Sequence, residues 1–211
     1  MSEVNPSVRP ALRIAALVPA TTAEGPGLRL AIWVQGCALR CPGCCNPEFF
    51  NAGRGEATEV SSVLARVDES MRAHGIEGLS ILGGEPLEQI DGVTALAHGA
   101  RRRGLGVLLF SGYRLDEAQR RPGFASLWSQ VDTMLDGRFD AKQPEPPPHA
   151  GGRRFIGSRN QRLHHRTARY RDPSLWQGSP RIEVHLDDQG GFNAHGEPVA
   201  VRDLLRALDR R

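Results

Sequence analysis

Lysine is almost missing from this sequence: Lys142 stands alone beside 26 arginines. A bias of that size matches the codon usage of a GC-rich genome, so arginine-rich stretches are discounted before any is read as a nucleic-acid patch. Aromatic residues make up only 6%, and few lie beside the arginines where bases could stack. Both points argue against nucleic acid as a partner. No run of 18 apolar residues occurs, so no membrane-spanning helix is expected. The opening MSEVNPSVRPALRIAALVPA has neither the basic start nor the long apolar stretch of a secretory signal. The expected location is the cytoplasm, where thiols stay reduced.

Cysteine is absent everywhere except QGCALRCPGCCNPEFF (35–50). Cys37, Cys41 and Cys44 form C-x3-C-x2-C, and Cys45 follows at once. Disulfides, zinc and an iron–sulfur cluster could each use such a stretch. A reducing compartment and the strained rings that such short loops would close weigh against disulfides. Zinc usually takes four tetrahedral ligands, but Cys44 and Cys45 are neighbours that rarely point at one ion, and the next histidine is His74. A [4Fe–4S] cluster normally takes four cysteines. Three ligands on a compact loop would leave one iron open to a small molecule.

With 39% hydrophobic residues over 211 positions, the chain can bury one full core, and a single domain over 1–211 is expected. Strands are expected at 12–18, 28–35, 78–85, 105–110 and 131–137. Helices are expected from an N-cap at Thr58 to His74-Gly75, from Ile90 to Arg103, and over 114–121. Strands alternating with helices in this way argue an α/β fold with a parallel sheet over about 12–140. Gly83-Gly84, Ser111-Gly112 and Asp136-Gly137 all close strands. Together with the cysteine stretch they should share the C-terminal sheet edge, where sites gather in such folds.

Beyond residue 140, KQPEPPPHAGG (142–152) reads as an exposed loop, and 153–211 as an extension. IEVHL (182–186) alternates like an antiparallel strand, and Val201, Leu204, Leu205 and Leu208 mark a terminal amphipathic helix. Between Arg153 and Arg171 stand seven arginines and no acid. That stretch suits either a solvated face or a dock for an acidic protein.

The cysteine spacing followed by Gly83-Gly84-Glu85-Pro86 resembles the radical S-adenosylmethionine (SAM) superfamily. EGPGLRLAIWVQGCALRCPGCCNPEFF (24–50), FSGYRLDE (110–117), LDGRF (135–139) and GSRNQR (157–162) narrow the resemblance to activases of anaerobic ribonucleotide reductase, within the glycyl-radical-enzyme activases. The resemblance implies a partial (β/α) barrel with a C-terminal strand and helix extension. It implies one [4Fe–4S] cluster on Cys37, Cys41 and Cys44, with SAM chelating the fourth iron. Gly83 and Gly84 would let the backbone approach the methionine moiety. Glu85 would fix the strand and face the SAM ammonium, and Pro86 would stiffen the turn or begin a helix that Glu85 caps. Ser111 would contact the SAM carboxylate or ribose, and Asn160 and Gln161 would lie near the adenosine or at a partner interface.

The implied reaction is reductive cleavage of SAM to a 5′-deoxyadenosyl radical that installs a glycyl radical on a partner enzyme. A flavodoxin-like or other one-electron donor would supply the electron. The alternatives are a small radical SAM enzyme modifying a peptide, nucleoside or other metabolite, or a non-catalytic iron–sulfur or zinc module. Cys45 departs from the pattern, since such activases usually carry histidine or another residue there. It would be a small packing group, a redox-sensitive thiol, or a contact to a substrate that the typical activase does not have.

Overall fold

The computed structural model describes residues 10–179, 181–186, 192–197, 200, 201, 204 and 207. Strand β1 (Ala11–Thr21) turns through a short loop into β2 (Arg29–Val34). The cysteine stretch follows, then β3 (Glu56–Glu59), α1 (Val60–His74), β4 (Gly78–Gly83), α2 (Ile90–Arg102) and β5 (Gly106–Phe110). The one-turn helix α3 (Leu115–Ala118), α4 (Phe124–Gln130), β6 (Thr133–Asp136) and β7 (Arg162–His165) complete the main body. A hairpin of β8 (Ile182–Leu186) and β9 (Phe192–Gly196) comes last.

Seven strands form one sheet in the order β3-β1-β2-β4-β5-β6-β7. The four central strands are parallel, with Ile32 beside Ile81 and Leu79 beside Val107. The expected α/β class therefore holds, but the sheet is not parallel throughout. β1 runs antiparallel to both β2 and β3, and β7 runs antiparallel to β6. The loop between β1 and β2 is too short for a crossover, so that pair can only be a hairpin.

Alternate residues of the central strands face opposite layers. Leu30, Ile32, Val34, Leu79, Ile81, Val107, Leu109 and Met134 pack under the helices with Val63, Val67, Leu96 and Leu127. On the other face Ala31, Trp33 and Leu82 form one small cluster, and Leu108 packs with Phe155, Tyr170 and Trp176 in another. Helices α1, α2 and α4 cover one face; the second is closed by the chain after residue 150 and keeps a cavity. Leu12 and the first two helical layers make the core that fixes the sheet; full burial of each such side chain is worth about 1.5–3 kcal/mol.

Several expected boundaries shift. Thr58 is not a helix cap: it pairs with Leu12 inside β3, and α1 starts after Glu59. Its apolar period was legible, since Val60, Val63 and Val67 are buried, and Gly75 ends it at φ 67°. The strand expected to reach residue 85 stops at Gly83. Helix α4 was not read from the sequence, although Phe124 and Leu127 give it a buried face. β8 and β9 pair antiparallel as IEVHL suggested. The expected terminal helix lies largely outside the described residues, with Leu205 and Leu208 among those not described.

Candidate functional site

The cysteine loop leaves β2 at Gly36, whose φ of 98° suits glycine. Backbone bonds then fasten it: Gly36 N–H donates to Phe49 O at 2.8 Å, Cys37 N–H to Phe50 O at 3.2 Å, and Cys44 N–H to Cys41 O at 3.1 Å. The Glu88 carboxylate accepts from Ala38 N–H at 2.8 Å. Gln89, unremarked in the sequence, clamps β1 to β2, with its amide donating to Arg13 O and Gln35 O at 3.0 and 2.8 Å.

All four cysteines line one cavity of about 200 Å3, together with Gly83, Gly84, Glu85, Ser111 and Gln161. Its floor is the face of the sheet opposite α1 and α2, through Trp33, Leu82, Phe110 and Leu135, and its far wall includes Glu24 and His195. Every cysteine is a free thiol. Cys37 is buried and Cys41 and Cys44 are half-buried. Burial pushes the Cys37 and Cys41 thiols up. A hydrogen bond from Cys45 brings Cys44 down to about 7 and drives Cys45 itself up. Cys45 is exposed and lines the cavity, which suits a redox-sensitive or substrate-facing thiol better than a buried packing group.

The GGEP stretch sits at the same edge, where β4 ends beside β2. Its glycines line the cavity and also meet a demand of the neighbouring strand. A Cβ on Gly83, at φ +118°, would lie 2.2 Å from Val34 N, and one on Gly84 would lie 2.1 Å from Gly36 O. Both glycines are demanded by the neighbouring backbone, so that Gly84 N–H can reach Val34 O at 2.7 Å and Glu85 N–H can reach Gly36 O at 2.7 Å. GGEP is thus stitched to the root of the cysteine loop.

Glu85 is completely buried. Its carboxylate accepts from Leu87 N–H at 2.9 Å, Ser111 Oγ at 2.8 Å and Gly112 N–H at 2.8 Å. It caps the short 3-10 turn that Pro86 begins, as read from the sequence, and it also fixes the strand end. Burial nevertheless raises its carboxyl to about 7, against the lowering effect of those bonds. Ser111 lines the cavity with its hydroxyl committed to Glu85.

Gln161 reaches the cavity wall, but its amide is also committed. Oε1 accepts from Gly157 and Ser158 N–H, each at 3.0 Å, and Nε2 donates to Gly137 O at 3.0 Å. Asn160 does not join it. Its side chain donates to Arg138 O at 2.8 Å and lines an adjoining groove. Glu24 and His195 were missed by the sequence reading: each is isolated in the chain, and only folding brings His195 Nδ1 to 3.2 Å from Glu24 Oε1.

Residues 23–164 match the family described as 4Fe-4S single cluster domain. The chain belongs to that family. It is 30% identical over 155 residues to the anaerobic ribonucleoside-triphosphate reductase-activating protein of Salmonella typhi, covering 70% of this chain and 94% of the relative. The protein of the same name from Escherichia coli is 28% identical over 157 residues, covering 70% and 94%. A pyruvate formate-lyase-activating enzyme of Listeria monocytogenes is 40% identical over 73 residues, covering 33% of this chain and 29% of that one. The resemblance to radical SAM glycyl-radical activases stands.

The cavity fits the family's cluster. Cys37, Cys41 and Cys44 surround a common space, while among the described residues no three His, Cys, Asp or Glu side chains gather tightly enough for a single metal ion. Thiolates spread around a space suit a cluster, where each meets its own iron.

Proposed function

We propose that this 4Fe-4S single cluster protein binds SAM in the cavity beside Cys37, Cys41 and Cys44 and installs a glycyl radical on a partner enzyme, such as an anaerobic ribonucleotide reductase. The observation that carries this reading is the convergence of three cysteines and GGEP on one cavity at the C-terminal edge of parallel strands. In that reading the sheet is a partial barrel, and the face opposite α1 and α2 is its interior. Cys37, Cys41 and Cys44 would hold the cluster, which when bound would supply the electron for reductive cleavage of SAM and so for hydrogen-atom removal from the partner's glycine.

The chain's own part is placement and shielding. Gly83 and Gly84 bring β4 against the cysteine loop, so the methionine end of SAM and the cluster share one rigid edge. Glu85 and Ser111 hold the ends of β4 and β5 at a fixed spacing, with the Glu85 carboxylate within the wall that the SAM ammonium would meet. Leu82, Phe110, Leu135 and Phe155 keep the interior apolar, which excludes water from a reactive radical. Pro42, Gly43 and Cys45 are exposed, so a flavodoxin-like or other one-electron donor can approach the loop closely.

The test is anaerobic reconstitution with iron and sulfide, reduction, and addition of SAM with the anaerobic ribonucleotide reductase of the same organism. The expected result is a glycyl-radical EPR doublet on the reductase that grows in step with 5′-deoxyadenosine. Deoxyadenosine without a protein radical on any glycyl-radical enzyme would overturn the activase reading and favour a modifying enzyme.

A further inference from the structure

Next to the cavity lies a second depression of about 680 Å3, between α3, the end of β6 and the start of β7. Gly137 lines both, so the two spaces adjoin at the C-terminal end of β6. The groove's floor carboxylate, Asp136, is buried and already engaged: it accepts from Leu115 N–H at 2.6 Å and pairs with His164 Nε2 at 2.8 Å. Its rim presents Arg114, Arg138 and Arg162. Glu117 holds Arg138 at 2.8 Å and Asp116 holds Arg114 at 3.0 Å, which aims both guanidiniums while leaving them substantially exposed. Arg162 is exposed, with no side-chain hydrogen bond or ion pair among the described residues.

The arginine-rich segment, which suits either a solvated face or a dock for an acidic protein, is divided by the structure. Arg169 donates to the carbonyls of Gly104 and Glu77 at 3.0 Å each, just ahead of β5 and β4, and Arg166 donates to Val131 O at 2.6 Å, ahead of β6. These residues serve the opposite edge of the sheet. Arg153 is committed to Glu145 at 2.7 Å. Only the part around Arg162 remains at the edge where the cysteines lie.

We infer that this groove seats an acidic, extended segment of the partner protein, flanking the glycine that must enter the cavity. The inference rests on the activase reading and adds where and by what chemistry the partner is held. The groove mixes apolar lining with three arginines, two of them paired with Asp116 and Glu117, and Arg162 is the open cation among the described residues, so an incoming carboxylate meets one unpaired guanidinium beside two exposed ones. Its continuity with the cavity at Gly137 lets one strand of chain lie in the groove and pass a glycine inward. Because the rim is solvated, it acts mainly on encounter and register, and its pull is screened over about 8–10 Å at ordinary ionic strength.

The experiment compares wild type, the double variant Arg114→Glu/Arg162→Glu and a control, Arg171→Glu, beyond β7 toward the opposite edge. All three are loaded with cluster and checked for equal iron content and equal SAM cleavage without partner. With the reductase as probe, the double variant should lose about tenfold in kcat/KM for glycyl-radical formation, mostly through KM, and show a flatter salt dependence. The control should match wild type. Normal radical formation with a normal salt response in the double variant would overturn the groove assignment, as would an equal loss of partner-free SAM cleavage, which would mark a structural defect. If wild type cleaves SAM yet radicalises no partner protein, the activase reading falls and the groove assignment falls with it.

Discussion

Ser111 donates its hydroxyl to Glu85 at 2.8 Å, joining the end of β5 to the end of β4 across a fully buried carboxylate. Two residues that the sequence marked as separate ligand contacts are thus one support. Ser111→Ala should remove one hydrogen bond to a charged or half-charged acceptor and lower stability by about 1.5–3 kcal/mol. SAM affinity should fall as a consequence of a looser edge. A variant with unchanged melting temperature and weakened SAM binding would instead make the hydroxyl a direct contact.

Glu85 gives a pH dependence with a definite sign. Its carboxyl is raised from 4.5 to about 7 by burial, so the folded state holds a proton that the unfolded state has released. Its stabilising share is fully present below about pH 4.5 and is lost as pH rises through about 7, at most about 1.4 kcal/mol per unit of pH across that window. Glu85→Gln should remove this slope while adding a constant penalty, since one amide NH2 must face a donor. Thermal unfolding of both proteins between about pH 5 and pH 8 checks it. Parallel curves would show that other groups carry the dependence.

Gly84→Val should do more than block SAM. Its Cβ would lie 2.1 Å from Gly36 O, and overpacking of this kind costs about 1–3 kcal/mol or more. Because Gly36 is the root of the cysteine loop, iron content should fall along with the melting temperature. Full cluster loading with loss of SAM binding alone would return the glycine to a ligand-facing role.

Serine at Cys37, Cys41 or Cys44 should abolish iron incorporation, whereas Cys45→Ser should leave it near the wild-type level. The basis is spacing together with the position of Cys45, exposed and hydrogen-bonded to Cys44. Iron and sulfide analysis of the four reconstituted variants decides. Comparable loss in all four would make Cys45 part of the ligand set.

Arg29 is fully buried and has no carboxylate partner among the described residues; its guanidinium donates to Ser80 Oγ, Tyr170 Oη and the carbonyls of Pro26, Leu79 and Gly106. Arg29→Met should orphan several buried acceptors at about 1–3 kcal/mol each. Denaturant unfolding should show a loss of several kcal/mol, with Tyr170→Phe costing about 1 kcal/mol. A neutral Arg29→Met would mean that water replaces the guanidinium.

The α/β class, the helical faces of α1 and α2, the strand ends that carry Gly83, Ser111 and Asp136, and the three candidate cluster ligands are all legible in the amino-acid order. Those features are local: they rest on period, on turn residues and on spacing within one loop. Other features depend on which segments meet. The close approach of Gly84 to Gly36 that leaves no room for a Cβ, a strand at Thr58 supported by Leu12, and an imidazole from β9 against Glu24 each join residues far apart in the chain, and no local pattern encodes them. The arginines of 153–171 show the same limit, for their charge is written in the sequence but their division between two opposite edges of the sheet follows from the path of β7. Adjacent residues on that path can serve opposite ends of the protein, because charge is a property of the residue and position is a property of the fold.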